Sequence, residues 1–214
     1  LEQMGIMPEG SHHEEGPGQN EIDFRYSDAL TAADNAVTFR SVVQTIAARN
    51  GLYADFSAKP LADAPGNGLH INVSVDGGRH EETIPFVIAG LLDKIRDITV
   101  FLNPTESSYA RLGNNKAPRY ISWSGENRSQ LIRIPAAVGE YRRAELRSPD
   151  SQANPYLAFA LMIYAGLYGI ENKLPLPEPA NVNLYTADKK TLSKFKTLPA
   201  DLAEAVLAAT TSGF

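Results

Sequence analysis

Three sets of polar side chains stand at spacings that gather them if their segments are strands. Glu9, His12, His13, Glu14 and Glu21 crowd the first; His70, Asn72 and Ser74 fall at every second residue, as do Arg143, Glu145 and Arg147. Residues two apart in a β-strand share a face. Carboxylates with an imidazole suit a hard divalent ion such as Mg²⁺ or Mn²⁺, and several guanidinium groups suit phosphate and carboxylate. Beside the loop Gly66-Asn67-Gly68 the combination is a kit for phosphoryl transfer. Taken singly, each set has a plainer reading: a hydrogen-bonded strand histidine, a solvated strand face laced with ion pairs, a simple turn. It is the combination that points to chemistry.

Several elements must position these groups. Ser11–Tyr26 reads as strand, turn, strand, alternating polar and apolar through Glu21–Tyr26. Ser27 or Asp28 caps a helix that runs to about Arg49 and stops at Gly51. Leu52–Ala58 is expected as a short strand, followed by a Pro/Gly loop from Pro60 to Gly68. In His70–Val75 the apolar Ile71, Val73 and Val75 face away from the polar set. A helix fits Ile84–Leu102, ended by Asn103-Pro104, and a shorter one fits Ser107–Leu112, ahead of a loop at Gly113–Asn115. Strands fit Tyr120–Trp123, Leu131–Ile134 and Tyr141–Leu146. Asn154–Glu171 is helical with an apolar surround and is expected to be largely buried. After Lys173 the chain is Pro-rich, with a last helix near Pro199–Ala209. The fold class that follows is α+β, antiparallel strands with helices packed on one face.

The bulk numbers narrow the partners. A chain of 214 residues holds one domain with a sizeable core. A net charge of −5 with no basic stripe argues against nucleic acid. The absence of cysteine removes disulfides, thiol catalysis and Cys-based zinc sites. The longest apolar stretch, Ile84–Leu102, is interrupted by Asp93, Lys94, Arg96 and Asp97, so no membrane partner is expected.

Five blocks follow one another along the chain. They are Ser11-His12-His13-Glu14 with Pro17-Gly18-Gln19-Asn20-Glu21; Lys59-Pro60 with Gly66-Asn67-Gly68-Leu69-His70; and Asn103-Pro104 with Ser108-Tyr109-Ala110-Arg111-Leu112. Asn127-Arg128-Ser129 with Ile132-Arg133-Ile134-Pro135 comes next, then Glu145-Leu146-Arg147-Ser148-Pro149-Asp150 with Ala153-Asn154-Pro155-Tyr156. In this order they resemble the signatures of the catalytic, C-terminal domain of the glutamine synthetase family. The resemblance covers roughly residues 1–172, with 173–214 a Pro-rich excursion and terminal helix. It implies a curved antiparallel sheet of the glutamine synthetase/guanido kinase-like kind. It also implies an ATP-dependent ligase that joins glutamate and ammonia through a γ-glutamyl phosphate, using Mg²⁺ or Mn²⁺, two or three ions per intact site.

Carried over by residue, the resemblance gives Glu14 and Glu21 to one metal and His70 and Glu145 to a second. Gly66, His70, Arg111, Arg128 and Arg147 would hold glutamate. Glu9, Tyr26, Ser74, Arg133 and Arg143 would line the ATP site, and Arg128 and Arg133 would serve catalysis. A cytoplasmic, ring-forming homo-oligomer is implied.

Three departures qualify the resemblance. Lys116 precedes Ala117-Pro118 where the family usually carries a loop glutamate, for which Glu126 or Glu106 would have to substitute. Pro65 and Asn72 stand where Asn and His are common. Parts that the family supplies from an upstream strand and from a neighbouring subunit's N-terminal domain are not among these residues. The chain is therefore expected to be a truncated domain, inactive or nearly so, and to form smaller assemblies than a double ring. Two other readings stay open: a γ-glutamylamide synthetase using another amine, and a non-catalytic family member.

Overall fold

Ile88, Leu91, Ile95, Ile98 and Leu102 recur three and four residues apart, and that spacing makes one buried stripe along a helix, α2 (His80–Leu102). Each such side chain contributes roughly 1.5–3 kcal/mol when fully buried. The computed structural model describes residues 1–75, 79–114, 116–125, 127–136 and 143–214. In it α2 is the central pillar, packed between α4 (Pro155–Glu171) and α6 (Leu202–Thr211). The α2–α4 crossing is unusually close. A Cβ at Gly90 would stand 2.0 Å from the Ala165 carbonyl oxygen, and one at Gly169 would stand 2.0 Å from that of Phe86. Only glycine permits this approach.

Two small sheets carry the polar groups. A ribbon of β1 (Pro8–His13) and β2 (Asn20–Phe24) is antiparallel and pairs His12 with Glu21. The second sheet has the order β3 (Ile71–Val73), β6 (Ala144–Leu146), β5 (Ile132–Arg133), β4 (Trp123–Ser124). Its register aligns Ile71, Leu146 and Ile132 in a row that enters the core, while Asn72, Glu145 and Arg133 form the next row on the opposite face. A slip of one residue would exchange the two rows. The α+β class holds, with one difference from expectation: β4 and β5 pair parallel rather than antiparallel.

The first long helix, α1 (Ala29–Arg49), begins where its cap requires, with the Asp28 side chain accepting the Thr31 N–H. Helix α2 starts four residues earlier than expected, with Glu81 and Glu82 in its first turn. A short helix, α3 (Glu106–Arg111), is fixed by a capping box between Thr105 and Ser108. A further turn of helix, α5 (Lys189–Leu192), lies in the excursion.

Two expectations need correction. Leu52–Ala58 is not a strand, because side chains take up its carbonyls. Asn67 donates to those of Asp55 and Ser57, and both Ser151 and Gln152 donate to that of Phe56. Helix α4 is buried mainly on the side toward α2, with a smaller contact to α1, leaving Tyr156, Leu157, Ile163, Tyr164 and Leu167 exposed. The expected start of a strand at Tyr141, the loop residue Asn115 and the candidate Glu126 lie outside the described residues.

Candidate active site

The ribbon brings the first acidic set together through its pairing. His12 Nε2 lies 3.1 Å from Glu14 Oε1 and 3.8 Å from Glu21 Oε2, and ligand atoms of all three fall within 4.8 Å of one another. Glu21 is pushed up to about 7 by burial and by the like charges of Asp23 and Glu14. Burial also acts to raise Glu14, but hydrogen bonds with His12 and Glu21 outweigh it and hold that group below its ordinary value. The proximity of the two carboxyl groups opposes their ionising together. Such crowding is what a divalent cation relieves, and the donor set of carboxylates with one imidazole suits Mg²⁺ or Mn²⁺.

The turn of the ribbon is clamped to the glycine loop. Gln19 Nε2 donates to the Gly66 carbonyl at 3.1 Å and to Asn67 Oδ1 at 3.0 Å. A Cβ at Gly66 would meet the Ala58 carbonyl at 2.3 Å, and one at Gly68 would lie 2.8 Å from Arg111 Nη2 and 3.1 Å from His70 Nε2. The loop thus lies against Arg111 and His70, with no room for a Cβ at Gly66 and close side-chain contact for one at Gly68.

On the second sheet, Glu145 is the hub. Its Oε1 lies 3.2 Å from His70 Nδ1 and 3.0 Å from Arg147 Nη1, and its Oε2 lies 2.7 Å from Arg133 Nε. Burial acts to raise its pKa, but His70, Arg147 and Arg133 overcome that and hold it down at about 2. Burial lowers His70, reinforced by the cations Arg147 and Arg111. A neutral ring donating Nδ1–H to Glu145 keeps a lone pair on Nε2, the form that ligates metal. The Arg133–Glu145 contact is close but off-line, so Oε2 has no aligned hydrogen bond. A divalent ion at that oxygen would have to share it with Arg133.

The arginines divide into two groups. Arg111 is only 3% exposed and donates to the carbonyls of Ser148 at 2.7 Å and Arg147 at 3.3 Å. Burial, partly offset by Asp150, brings it down to about 10. Its Nη2 also faces Gly68, so it braces the loop as well as standing beside it. Arg133 is lowered by burial and by Arg147, Arg128 and Arg143, which places four guanidinium groups within electrostatic reach of one another. Arg143 Nε donates to Asn72 Oδ1 at 3.1 Å, and Arg128 is exposed.

Glu14 with Glu21, and His70 with Glu145, Arg133 and Arg147, are thus each brought together. Glu9 and Ser74 are exposed and make no hydrogen bond or ion pair to these groups among the described residues, and Tyr26 lies against the Arg25 guanidinium. His12 sits in the first cluster, where the implied pair had only Glu14 and Glu21. Its signal was the strand pairing, His12 opposite Glu21. Tyr185, whose hydroxyl donates to the Arg128 carbonyl at 3.3 Å, comes from the excursion, where no periodicity marks it.

Comparison with known proteins decides the family. A family model described as "Glutamine synthetase, catalytic domain" matches residues 1–213. The chain belongs to the glutamine synthetase family. It is 49% identical over 221 residues to a glutamine synthetase of Methanosarcina mazei, covering 96% of this chain and 49% of that one. It is 47% identical over 203 residues to one of Staphylococcus aureus, covering 89% and 46%. The chain therefore spans about half the length of the curated relatives it matches. Two solved structures share the fold: GmaS in complex with ADP, at a TM-score of 0.87 and 33% identity over 98% of this chain and 52% of that one, and GmaS without ligand, at 0.84 and 34% over 98% and 51%.

The loop after α3 holds the residue expected to differ from the family pattern. Lys116 adopts a left-handed backbone, φ 70°, and its Nζ forms an ion pair with Glu15. Glu106 is exposed in the first turn of α3. No helix among the described residues is long and apolar enough to cross a membrane.

Proposed function

We propose that this chain carries the chemistry of an ATP-dependent ligase that forms an amide on the γ-carboxylate of glutamate, with ammonia as the acceptor. The observation that carries the reading is the row around Glu145, in which one buried carboxylate gathers His70, Arg133 and Arg147 next to the glycine loop. Its membership of a family whose matched relatives are named glutamine synthetase supports the choice of substrates. The physical difficulty of the reaction is charge, because a carboxylate must attack an already anionic phosphoryl group. Bound Mg²⁺ or Mn²⁺ at Glu14 and Glu21 and at His70 and Glu145 would offset the phosphate charge and orient it.

The side chains of this protein would do the rest. Arg133, Arg143 and Arg128 face the developing negative charge as fixed donors. Gly66 and Gly68 let the backbone approach glutamate, and Arg147 offers its carboxylate a buried cation. Arg111 holds the loop in place for that approach. Exclusion of water follows from the burial of Glu145, Arg147 and Arg111. Attack of the glutamate γ-carboxylate on the γ-phosphorus of ATP would release ADP and leave an acyl phosphate, whose carbonyl carbon the amine would then attack, expelling phosphate and losing a proton.

A second reading, transfer to an amine other than ammonia, is favoured by Lys116. A cation at the position of the family's loop glutamate attracts no ammonium, although Glu15 neutralises it. A panel of amines supplied with glutamate and ATP to the full-length protein, with amide products identified by mass spectrometry, separates the two. Glutamine as the dominant product supports the first reading, and a substituted amide replaces it with the second. Absence of any ATP-dependent amide overturns both.

A further inference from the structure

We propose that the cleft between the segment after α3 and helix α5 binds a small monocarboxylate with an apolar or aromatic body. The cleft measures about 570 Å³, within the range of small-molecule sites. Leu112 and Leu184, both buried, line it with Leu192, while Asn114, Ser129, Tyr120 and Tyr185 make the rest of the wall polar or amphipathic. The leucine side chains favour a hydrocarbon body, because each square ångström of apolar surface removed from water is stabilising.

The charge in the cleft selects the head group. Arg119 lines it, with its stem against Gly113, where a Cβ would sit 3.1 Å from Arg119 Cδ. Among the described residues its guanidinium has no hydrogen bond or ion pair. Glu204 feels its charge, but that carboxylate is committed to Arg96 and to the Ala200 N–H at 2.7 Å. Lys116 at the rim is engaged by Glu15. Among the described residues the Arg119 guanidinium therefore stands without a side-chain partner, and its paired donors match the two oxygens of a carboxylate. A dianionic phosphate would find only half its charge compensated.

The cleft adjoins the arginine segment directly, since Ser129 lines it and its Oγ accepts the Leu184 N–H at 2.9 Å. Tyr185 forms part of the wall, and its hydroxyl donates to the Arg128 carbonyl. A ligand that shifts Tyr185 would be felt at Arg128. The binding itself does not depend on the ligase reading, since it is measured without ATP, glutamate or metal.

The test is a titration of 3-phenylpropionate into the ¹⁵N-labelled chain, followed by NMR. Saturable shifts at the Arg119 Nε–H and the Leu184 and Leu192 amides are expected, while the neutral 3-phenylpropionamide binds about tenfold more weakly or worse. Arg119→Gln should weaken the acid about ten- to a hundredfold, the range of a charged hydrogen bond, without changing affinity for the amide. Leu192→Trp fills the cleft and should abolish binding of both, and it keeps the test valid if the Arg119 variant does not fold. No saturable shift, equal binding of acid and amide, or shifts confined to Arg133 and Arg147 would overturn the proposal.

Discussion

The ribbon cluster and the sheet row use the same chemical group in opposite ways. On the ribbon, Glu14 and Glu21 stand close together beside an exposed imidazole, and burial with the like charges of Asp23 and Glu14 drives Glu21 up to about 7. On the sheet, Glu145 sits among His70, Arg133 and Arg147 and falls to about 2. The first site is short of positive charge and gains from a cation. The second already carries its compensation, so a cation there competes with guanidinium groups. One site thus lacks the compensating charge that the other carries within the domain itself.

The largest effect should come from breaking the hub. Glu145→Ala leaves Arg133 and Arg147 without their carboxylate, and removal of one partner from a buried pair costs about 3–5 kcal/mol. Thermal melts at neutral pH should show a large loss, whereas Glu14→Gln on the ribbon should show little. Acid tests the same hub without mutation. Because Glu145 titrates below its ordinary 4.5, its contribution is present above that pH and is lost as pH falls toward about 2. The loss should reach roughly 3 kcal/mol, read from denaturant midpoints across that window, and it should be absent in Glu145→Gln.

Next in size is Gly68→Ala, whose added methyl would meet Arg111 Nη2 and His70 Nε2. Overpacking of this kind costs about 1–3 kcal/mol, and it should displace the His70 ring signal in NMR. Gly125→Ala, with open space at its Cβ, should do neither.

The ribbon should respond to pH with the opposite sign. The pKa of Glu21 is raised, so its contribution is present below 4.5 and is lost as pH rises through about 7. Without divalent metal the chain should therefore soften across that range, by no more than about 1 kcal/mol because the group is partly exposed to solvent. Mn²⁺ should reverse the trend, and Glu21→Gln should remove it. Smallest of all, Lys116→Gln should alter the melting point hardly at all, since an exposed ion pair with Glu15 contributes about 1 kcal/mol or less. A melting point that falls by much more would show the pair to be structural.

Much of this contrast was legible in the sequence, because strand periodicity fixes which side chains share a face. The alternation through His70–Val75 and around Glu145 anticipated the row on the sheet, and Asp28 and Gly51 marked the ends of α1. What the sequence hid was set by contacts distant along the chain. The carbonyls of 55–57 are satisfied by Asn67, Ser151 and Gln152, so Leu52–Ala58 never pairs as a strand. The parallel pairing of β4 with β5 leaves no mark in either two-residue strand. The clamp from Gln19 to Gly66 and the Tyr185 bond to Arg128 join segments whose local patterns say nothing of each other. The hydropathy of α4 showed a helix apolar all round, but it could not say which side α2 would cover.

Acidic groups of the ribbon and of the sheet are each proposed to offer a place for a divalent ion. Anomalous diffraction from crystals of the protein soaked in Mn²⁺ measures it directly. One peak bounded by Glu14 and Glu21 is expected, and a second beside His70 and Glu145. Peaks elsewhere, or none while those four side chains keep their present positions, would contradict it.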